Sequence, residues 1–264
     1  MLLGKLIKNI KPAYKSIRFN NIRFNSKDCK KNDIFFSIQG NRLNGNNYIK
    51  DAIRNGSKII VSNINFEGFN KEKILFVRSK NPRKALAEAA SNFYKKKPKN
   101  IIALTGTNGK TSISNFFYQI LSLSKKKVAA IGTLGVLSKK IKLKTNNTTI
   151  DPIKMHQILQ KLKHSNIDNV IIEASSHGLK QHRLDGLNLK TALFTNLTRD
   201  HLDYHKTFKD YLNSKLTLFN KLLLNKGNII FENGISQEKE LNKISKKKKL
   251  KTYKIGNENS FINL

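Results

Sequence analysis

The stretch that decides the fold is Leu104–Ser112, LTGTNGKTS. The run before it, Ile101–Thr105 (IIALT), is short, apolar and β-prone, and the run after it, Ser112–Ser124 (SISNFFYQILSLS), has apolar residues at helical spacing. The glycines therefore lie on a strand-to-helix turn. A helix N-terminus there carries free backbone N–H groups and the positive end of the helix dipole, a natural seat for phosphate. Gly106 and Gly109 let the backbone turn tightly and approach an anion closely. Lys110 adds a cation to the terminal phosphates, and the Thr111 hydroxyl is placed to ligate a Mg2+ that bridges them. The strict phosphate-loop pattern asks for a glycine at the position of Leu104, so what survives of it is G-T-N-G-K-T. The bland alternative is a glycine turn that only joins a strand to a helix. Gly-Lys-Thr on a strand–loop–helix favours nucleotide binding over it.

At 264 residues the chain has room for one full core and plausibly for two domains. Its single cysteine, Cys29, excludes an internal disulfide and suits a reducing compartment. No apolar run is long enough to span a bilayer, and the first residues, MLLGKLIKNIKPAYK, lack the apolar core and cleavage site of a signal peptide. A cytoplasmic location without membrane insertion is the expectation. The formal net charge of +34 attracts polyanions. The lysines are spread along the whole chain rather than gathered into a stripe with interleaved aromatics, and the densest run, Ser245–Lys251 (SKKKKLK), reads as a solvated face or loop. Specific nucleic-acid recognition is therefore not expected, and an anionic small-molecule substrate suits the charge as well.

The first third reads as a small mixed α/β unit: a strand and turn in DIFFSIQG (Asp33–Gly40), a helix in NNYIKDAIRNGS stopping near Gly56, strands in KIIVSN and KILFVRS, and a helix in NPRKALAEAASNFYKK with Pro82 near its start. The charged, proline-containing KKKPKN (Lys95–Asn100) marks a boundary, so residues 1–97 and 98–264 are expected to be separate domains. Beyond it strands and helices alternate. Strands fall at IIALT, KVAAIGT, NVIIEAS, TALFTNL and GNIIFEN, and helices at SISNFFYQILSLS, DPIKMHQILQKLKHSNI and TFKDYLNSKLTLFNKLL. That alternation argues an α/β fold with a parallel sheet covered on both faces, and such sheets bind ligands beyond the carboxyl ends of their strands. Thr105, Glu173, Ser175 and Asn196 lie at those ends.

Three polar clusters follow the phosphate loop: TNNTTIDP (Thr145–Pro152), EASSHGLKQHR (Glu173–Arg183) and TNLTRDHLDYH (Thr195–His205). Each alone could be a loop or a capped helix start, but three at successive strand ends converge. Glu173 can take Mg2+ together with Thr111, since that ion prefers carboxylate, hydroxyl, phosphate and water oxygens. His201 is a candidate for a second metal, and two ions suit attack on a γ-phosphate.

These segments, with IGTLG (Ile131–Gly135) and the run FTNLTRDHLDYHKTFKDYLNSK, resemble the Mur ligase family. Their order and spacing are similar to its MurE type, the UDP-N-acetylmuramoyl-L-alanyl-D-glutamate ligases that add the third peptide residue of peptidoglycan. The stretch from FNSKDCKK to SKIIV resembles that family's uridine-binding domain, and NPRKALAEAASNFY its linking helix. The resemblance implies an N-terminal UDP-substrate-binding domain and a central ATP-binding domain. It implies an ATP-dependent acid–amino-acid ligase that phosphorylates the D-glutamyl carboxylate. The acyl phosphate is then attacked by the amine of meso-diaminopimelate or L-lysine, a step of cell-wall biogenesis on which cell shape and division depend. By the same resemblance Gly106, Thr107, Asn108, Gly109, Lys110, Thr111, Ser112 and Asn196 bind ATP. Thr111 and Glu173 hold a first Mg2+. His201 and Lys215 hold a second, with Lys215 carried as a CO2-derived carbamate (N6-carboxylysine), and Lys110, His201 and Lys215 are the catalytic positions. Asn147, Thr148, Thr149, Ser175, Gln181 and Arg183 correspond to contacts with the UDP-N-acetylmuramoyl-dipeptide. Arg183 is suited to grip an anion through two hydrogen bonds. Ser26 aligns with the serine of a D-S-R uridine-binding motif, although Asn25 and Lys27 replace its acid and its arginine.

The family has a third α/β domain that recognises the incoming amino acid, and no segment here resembles it. The resemblance therefore leaves diaminopimelate and lysine open, and a monomer is expected. One alternative is an inactive or split fragment that only binds nucleotide or UDP-sugar. Another is a ligase similar to folylpolyglutamate synthetase, against which TNNTT and SSHGL argue.

Overall fold

The computed structural model describes residues 1–40, 43–256 and 260–263. The chain forms two compact units, Met1–Lys95 and Lys96–Leu264.

The first unit is built on a five-stranded sheet in the order β1-β2-β3-β5-β4, with β1 Ile22–Arg23, β2 Ile34–Phe36, β3 Ile59–Ser62, β4 Gly68–Phe69 and β5 Leu75–Arg78. All neighbours are parallel except β4 and β5. Helices α1 Leu3–Leu6, α2 Ile49–Arg54 and α3 Pro82–Phe93 accompany it. The strand read in DIFFSIQG is confined to the three buried residues of β2, and the helix read from Asn46 begins as a 3-10 turn, Gly45–Tyr48, before α2. Asp33 is fully buried, accepts from Asn21 N and Lys30 N and pairs with Arg23 Nε at 3.0 Å, which pins the entry to β2.

The second unit carries an eight-stranded sheet in the order β13-β12-β11-β10-β6-β9-β7-β8. Its strands are β6 Asn100–Thr105, β7 Val128–Gly132, β8 Gly135–Ser138, β9 Asn169–Glu173, β10 Leu189–Phe194, β11 Leu223–Glu232, β12 Lys251–Gly256 and β13 Ile262–Asn263. All pairings are parallel except that of β7 with β8. The helices are α4 Lys110–Leu123, α5 Pro152–His164, α6 Ser176–Lys180, α7 Leu202–His205, α8 Phe208–Thr217 and α9 Glu238–Lys248. The apolar runs IIALT, VAAIG and NVIIE are buried on both sides because alternate residues serve different cores. Ala103, Ala129, Val170 and Ile172 join the large cluster formed with α5 and α9, whereas Leu104, Ala130 and Ile171 meet Ile113 and Phe117 of α4.

Three readings change. The helix read over 207–223 ends at Thr217 and closes in a π-helical turn, Leu218–Leu222, before β11. The strand read over Thr191–Leu197 stops at Phe194, leaving Thr195 and Asn196 to bond the Gly106–Gly109 loop. The lysine run at Ser245–Lys251 narrows from a solvated face or loop to a solvated face: Lys246, Lys247, Lys249 and Lys251 are exposed on the last turn of α9, its C-cap and the start of β12. Lys248 of that turn donates to the carbonyls of Phe219, Asn220 and Leu223, serving backbone acceptors that the end of the π-helical turn leaves over.

Candidate active site

The loop after β6 lies in the middle of the sheet, where β7 and β10 lead off to opposite sides, and this is the place at which open parallel sheets bind ligands. Gly106 has φ +155°, and a Cβ there would lie 1.8 Å from Thr195 Oγ1 and 3.0 Å from the backbone of Asn196. No side chain fits at this position. The following loop, Thr195–Thr198, is laced to it. Thr107 N donates to Asn196 O at 2.9 Å, Asn108 N to Asn196 Oδ1 at 2.8 Å, and Thr195 Oγ1 to Asn108 O at 2.7 Å. Gly109, at φ +81°, caps α4, whose first residue is Lys110.

Two lysine amines converge on the loop's own carbonyls. Lys110 Nζ donates to Gly106 O at 2.8 Å and to Thr107 O at 2.7 Å, while Lys215 Nζ reaches the same Gly106 O at 2.6 Å. Lys215 is 1 % exposed, and its amine lies 4.4 Å from the centre of the Tyr211 ring, one turn earlier on α8. Burial, and next the Lys110 ammonium beside it, lowers the Lys215 amine to about 7. Burial also lowers the Lys110 amine, against the pull of Glu173 and Asp200. Tyr211 is fully buried, and its hydroxyl lies 3.1 Å from Thr107 Oγ1.

Glu173, at the end of β9 and 1 % exposed, is ringed by donors. Thr111 Oγ1 and Thr133 Oγ1 reach its Oε2 at 2.9 and 3.0 Å, and Ser114 Oγ and Thr133 N reach its Oε1 at 3.1 and 3.2 Å. The carboxylate also occupies the space where a Cβ on Gly132 would stand, 2.0 Å from its Oε1.

The third region ties TNNTT to the loop after β9. Thr149 Oγ1 donates to Glu173 O at 2.8 Å and accepts from Ser175 N at 2.9 Å. Ser175 Oγ, 3.1 Å from the Thr149 hydroxyl, caps α6 through Gly178 N. Arg183 donates to Thr149 O and, through two nitrogens, to Gln181 Oε1, whose amide nitrogen reaches Tyr204 OH at 3.1 Å. Thr148 sits 3.1 Å from Thr133 Oγ1, and Asn147 and Ser112 are exposed. His201 has φ +51°, takes a backbone bond to Asp200 Oδ1 and packs its ring edge-on against His177 at 4.8 Å. Ser26 lies in the first unit, buried at the start of a 3-10 turn, with Asn25 accepting from Lys27 N.

The structure thus gathers Gly106–Thr111, Asn196, Glu173 and Lys215 around one loop, with His201 on the segment that follows Asn196. Thr149, Ser175, Gln181 and Arg183 form one hydrogen-bonded group behind Glu173. The sequence reading missed Thr133, Ser114 and Tyr211. Tyr211 stands four residues before Lys215 and Ser114 three after Thr111, spacings that place each pair on one helix face. Thr133 lies within IGTLG, but nothing in that segment marked it as a partner of Glu173, because only the β7–β8 turn directs it back there. Among the described residues no group of three His, Cys, Asp or Glu side chains could hold a metal. An ion here would draw on Thr111, Glu173 and phosphate oxygens, the donor set of Mg2+ rather than of zinc. The lysine amines gathered on the loop's carbonyls and the N-terminus of α4 directly after it fit a bound polyphosphate.

Two family models match the chain: the Mur ligase middle domain over residues 104–263 and the Mur ligase family catalytic domain over residues 18–94. The chain belongs to the Mur ligase family. It is 42% identical over 221 residues to the UDP-N-acetylmuramoyl-L-alanyl-D-glutamate--2,6-diaminopimelate ligase of Clostridium tetani, covering 83% of this chain and 46% of that protein. The corresponding Rickettsia montanensis ligase is 39% identical over 233 residues, covering 87% of this chain and 48% of the relative. The chain spans about half the length of the curated relatives it matches. A solved structure of a ligase of the same name superposes over 100% of this chain and 54% of its own with a TM-score of 0.85 at 23% identity, a likeness of Mur ligase fold. Among the described residues no helix is long and apolar enough to cross a membrane.

Proposed function

We propose that this chain carries the nucleotide and sugar-nucleotide sites of an ATP-dependent ligase that joins meso-diaminopimelate to UDP-N-acetylmuramoyl-L-alanyl-D-glutamate through an acyl phosphate. The observation that carries this reading is the junction of the Gly106–Thr111 loop with buried Glu173 through Thr111 and with buried Lys215 through Gly106 O. The name shared by the relatives supports diaminopimelate over lysine as the acceptor.

When bound, Mg·ATP supplies the phosphoryl group that activates the D-glutamyl carboxylate. The loop's backbone N–H groups and the N-terminus of α4 would hold its phosphates, with Lys110 trading its bonds to Gly106 O and Thr107 O for phosphate oxygens. Thr111 and Glu173 would hold one ion. His201 and Lys215 are the candidates for a second. A Lys215 amine lowered to about 7 is substantially neutral near neutral pH, and the neutral amine is the form that adds CO2. Its lone pair bonds the carbon, one N–H proton leaves to solvent, and the neutral amine becomes an anionic oxygen donor. Arg183 and Gln181 are the candidates for contacts with the sugar nucleotide, and Ser26 is the candidate for uridine. A monomer in the cytoplasm suits these small anionic substrates.

Phosphate release with ATP, Mg2+ and UDP-N-acetylmuramoyl-L-alanyl-D-glutamate, with each diamino acid in turn, tests the reading. Turnover is expected to depend on meso-diaminopimelate. Binding of both nucleotides without turnover would favour a binding module. Absence of Mg·ATP binding by calorimetry would refute the site. Lys110→Ala is expected to weaken Mg·ATP binding about 10-fold or more, the loss of a charge-assisted contact.

A further inference from the structure

Thr133 occupies the tight turn between β7 and β8, and its side chain touches both the Glu173 carboxylate and Thr148. The directions of its bonds follow from proton counting. A carboxylate only accepts, so Thr133 Oγ1, 3.0 Å from Glu173 Oε2, spends its single hydrogen there. The 3.1 Å contact between Thr133 Oγ1 and Thr148 Oγ1 must then be a bond donated by Thr148. A directed chain results, from Thr148 to Thr133 to Glu173. The backbone N–H of Thr133 also donates to Oε1, so this residue grips both oxygens of the carboxylate. Thr149, the next residue of the same loop, bonds the backbone carbonyl of Glu173 at 2.8 Å. The TNNTT segment is therefore tied to Glu173 at its main chain through Thr149 and at its side chain through Thr133.

Resting on the reading above, we infer that Thr133 is a positioning residue that couples the sugar-nucleotide loop to the metal-binding carboxylate. Occupation of the loop reorients Thr148, and Thr133 passes that change to the angle at which Glu173 meets the ion carried by the nucleotide. The side chain of Thr133 is exposed, and Gly132 and Gly135 pair across the turn through backbone alone, so altering the hydroxyl leaves the fold in place.

Calorimetric titration of Mg·ADP into the full chain, with and without saturating UDP-N-acetylmuramoyl-L-alanyl-D-glutamate, reads the coupling directly. The sugar nucleotide is expected to change Mg·ADP affinity by about 5-fold or more in the native chain, the lower end of ordinary coupling between sites. In Thr133→Val the factor is expected to fall below about 2-fold while each ligand alone still binds, and Thr133→Ser is expected to restore it. A structural defect would weaken both ligands without removing their mutual effect. Native-like coupling in Thr133→Val, or independent binding of the two ligands to the native chain, would overturn the inference. Failure of the native chain to bind Mg·ADP at all would instead refute the site itself, and this inference with it.

Discussion

A lysine buried against the Gly106–Thr111 loop must give up either its charge or the solvation that the charge demands, and Lys215 gives up charge. Its folded-state value of about 7 lies below the ordinary 10.5, so between those pH values the unfolded chain binds more protons. Stability conferred at this position is present above about pH 10.5, declines as pH falls, and is fully lost below about 7. Lys215→Met is therefore expected to be more stable than the native chain near pH 7, by ~5 kcal/mol at most, with the gap closing towards pH 10.5. Urea unfolding midpoints of both chains across that range check it, and a gap independent of pH would contradict the assignment of the burial penalty. The same variant is expected to lose ligase turnover in any form of the protein that shows it. Gly106 and Gly109 make a second pair of tests. Gly106→Ala drives a methyl onto Thr195 and Asn196, whereas a Cβ at Gly109 meets nothing closer than Ile113 Cδ1 at 3.9 Å and costs mainly the left-handed backbone. The second substitution is expected to cost ~1–2 kcal/mol and the first more, with loss of nucleotide binding, by chemical denaturation and calorimetry.

At the scale of elements, α8 carries Lys215 and Tyr211 and starts from a Thr207 cap that accepts from Asp210 N at 3.1 Å. Thr207→Ala is expected to cost ~1 kcal/mol and to loosen the amine's placement, seen as a lower unfolding midpoint together with weaker nucleotide binding. Lys248→Met, which strips three carbonyls of their donor, is expected to cost ~1–3 kcal/mol although it lies in a lysine run that looks like pure surface. That contrast marks where the sequence was legible. Apolar runs such as NVIIE and IIALT announced the central strands because both of their faces are buried, and Gly-Lys-Thr after a strand announced the loop. β12 and β13 went unread because exposed and half-buried residues such as Lys251, Thr252 and Ile262 carry little apolar pattern, and the mostly buried β8 because its four residues are too short a run to announce a strand. The cluster of lysines hid α9, whose buried Leu241 and Ile244 are outnumbered by charge. Glu173 and Thr111 could be paired from motif position. Thr133 could not, since its partner lies across a strand whose register no local pattern encodes.

For the molecule as a whole, a net charge of +34 guarantees some attraction to any polyanion. Retention on DNA is expected to fall steeply with salt and to be blind to sequence. A sequence preference that survives at 0.2 M salt, roughly where purely electrostatic contacts have weakened by orders of magnitude, would argue for a dedicated nucleic-acid surface. The crowd of four donors around Glu173 has a different outcome. A bare divalent ion meeting that carboxylate must compete with hydroxyls and an amide already seated on it, and has only one anionic side chain to gain. The ion is better served by travelling in as a passenger on its triphosphate, so the nucleotide sets the order in which this protein loads. Titrated alone, magnesium chloride should produce no saturable heat, and the same salt should become visible as soon as ADP is present.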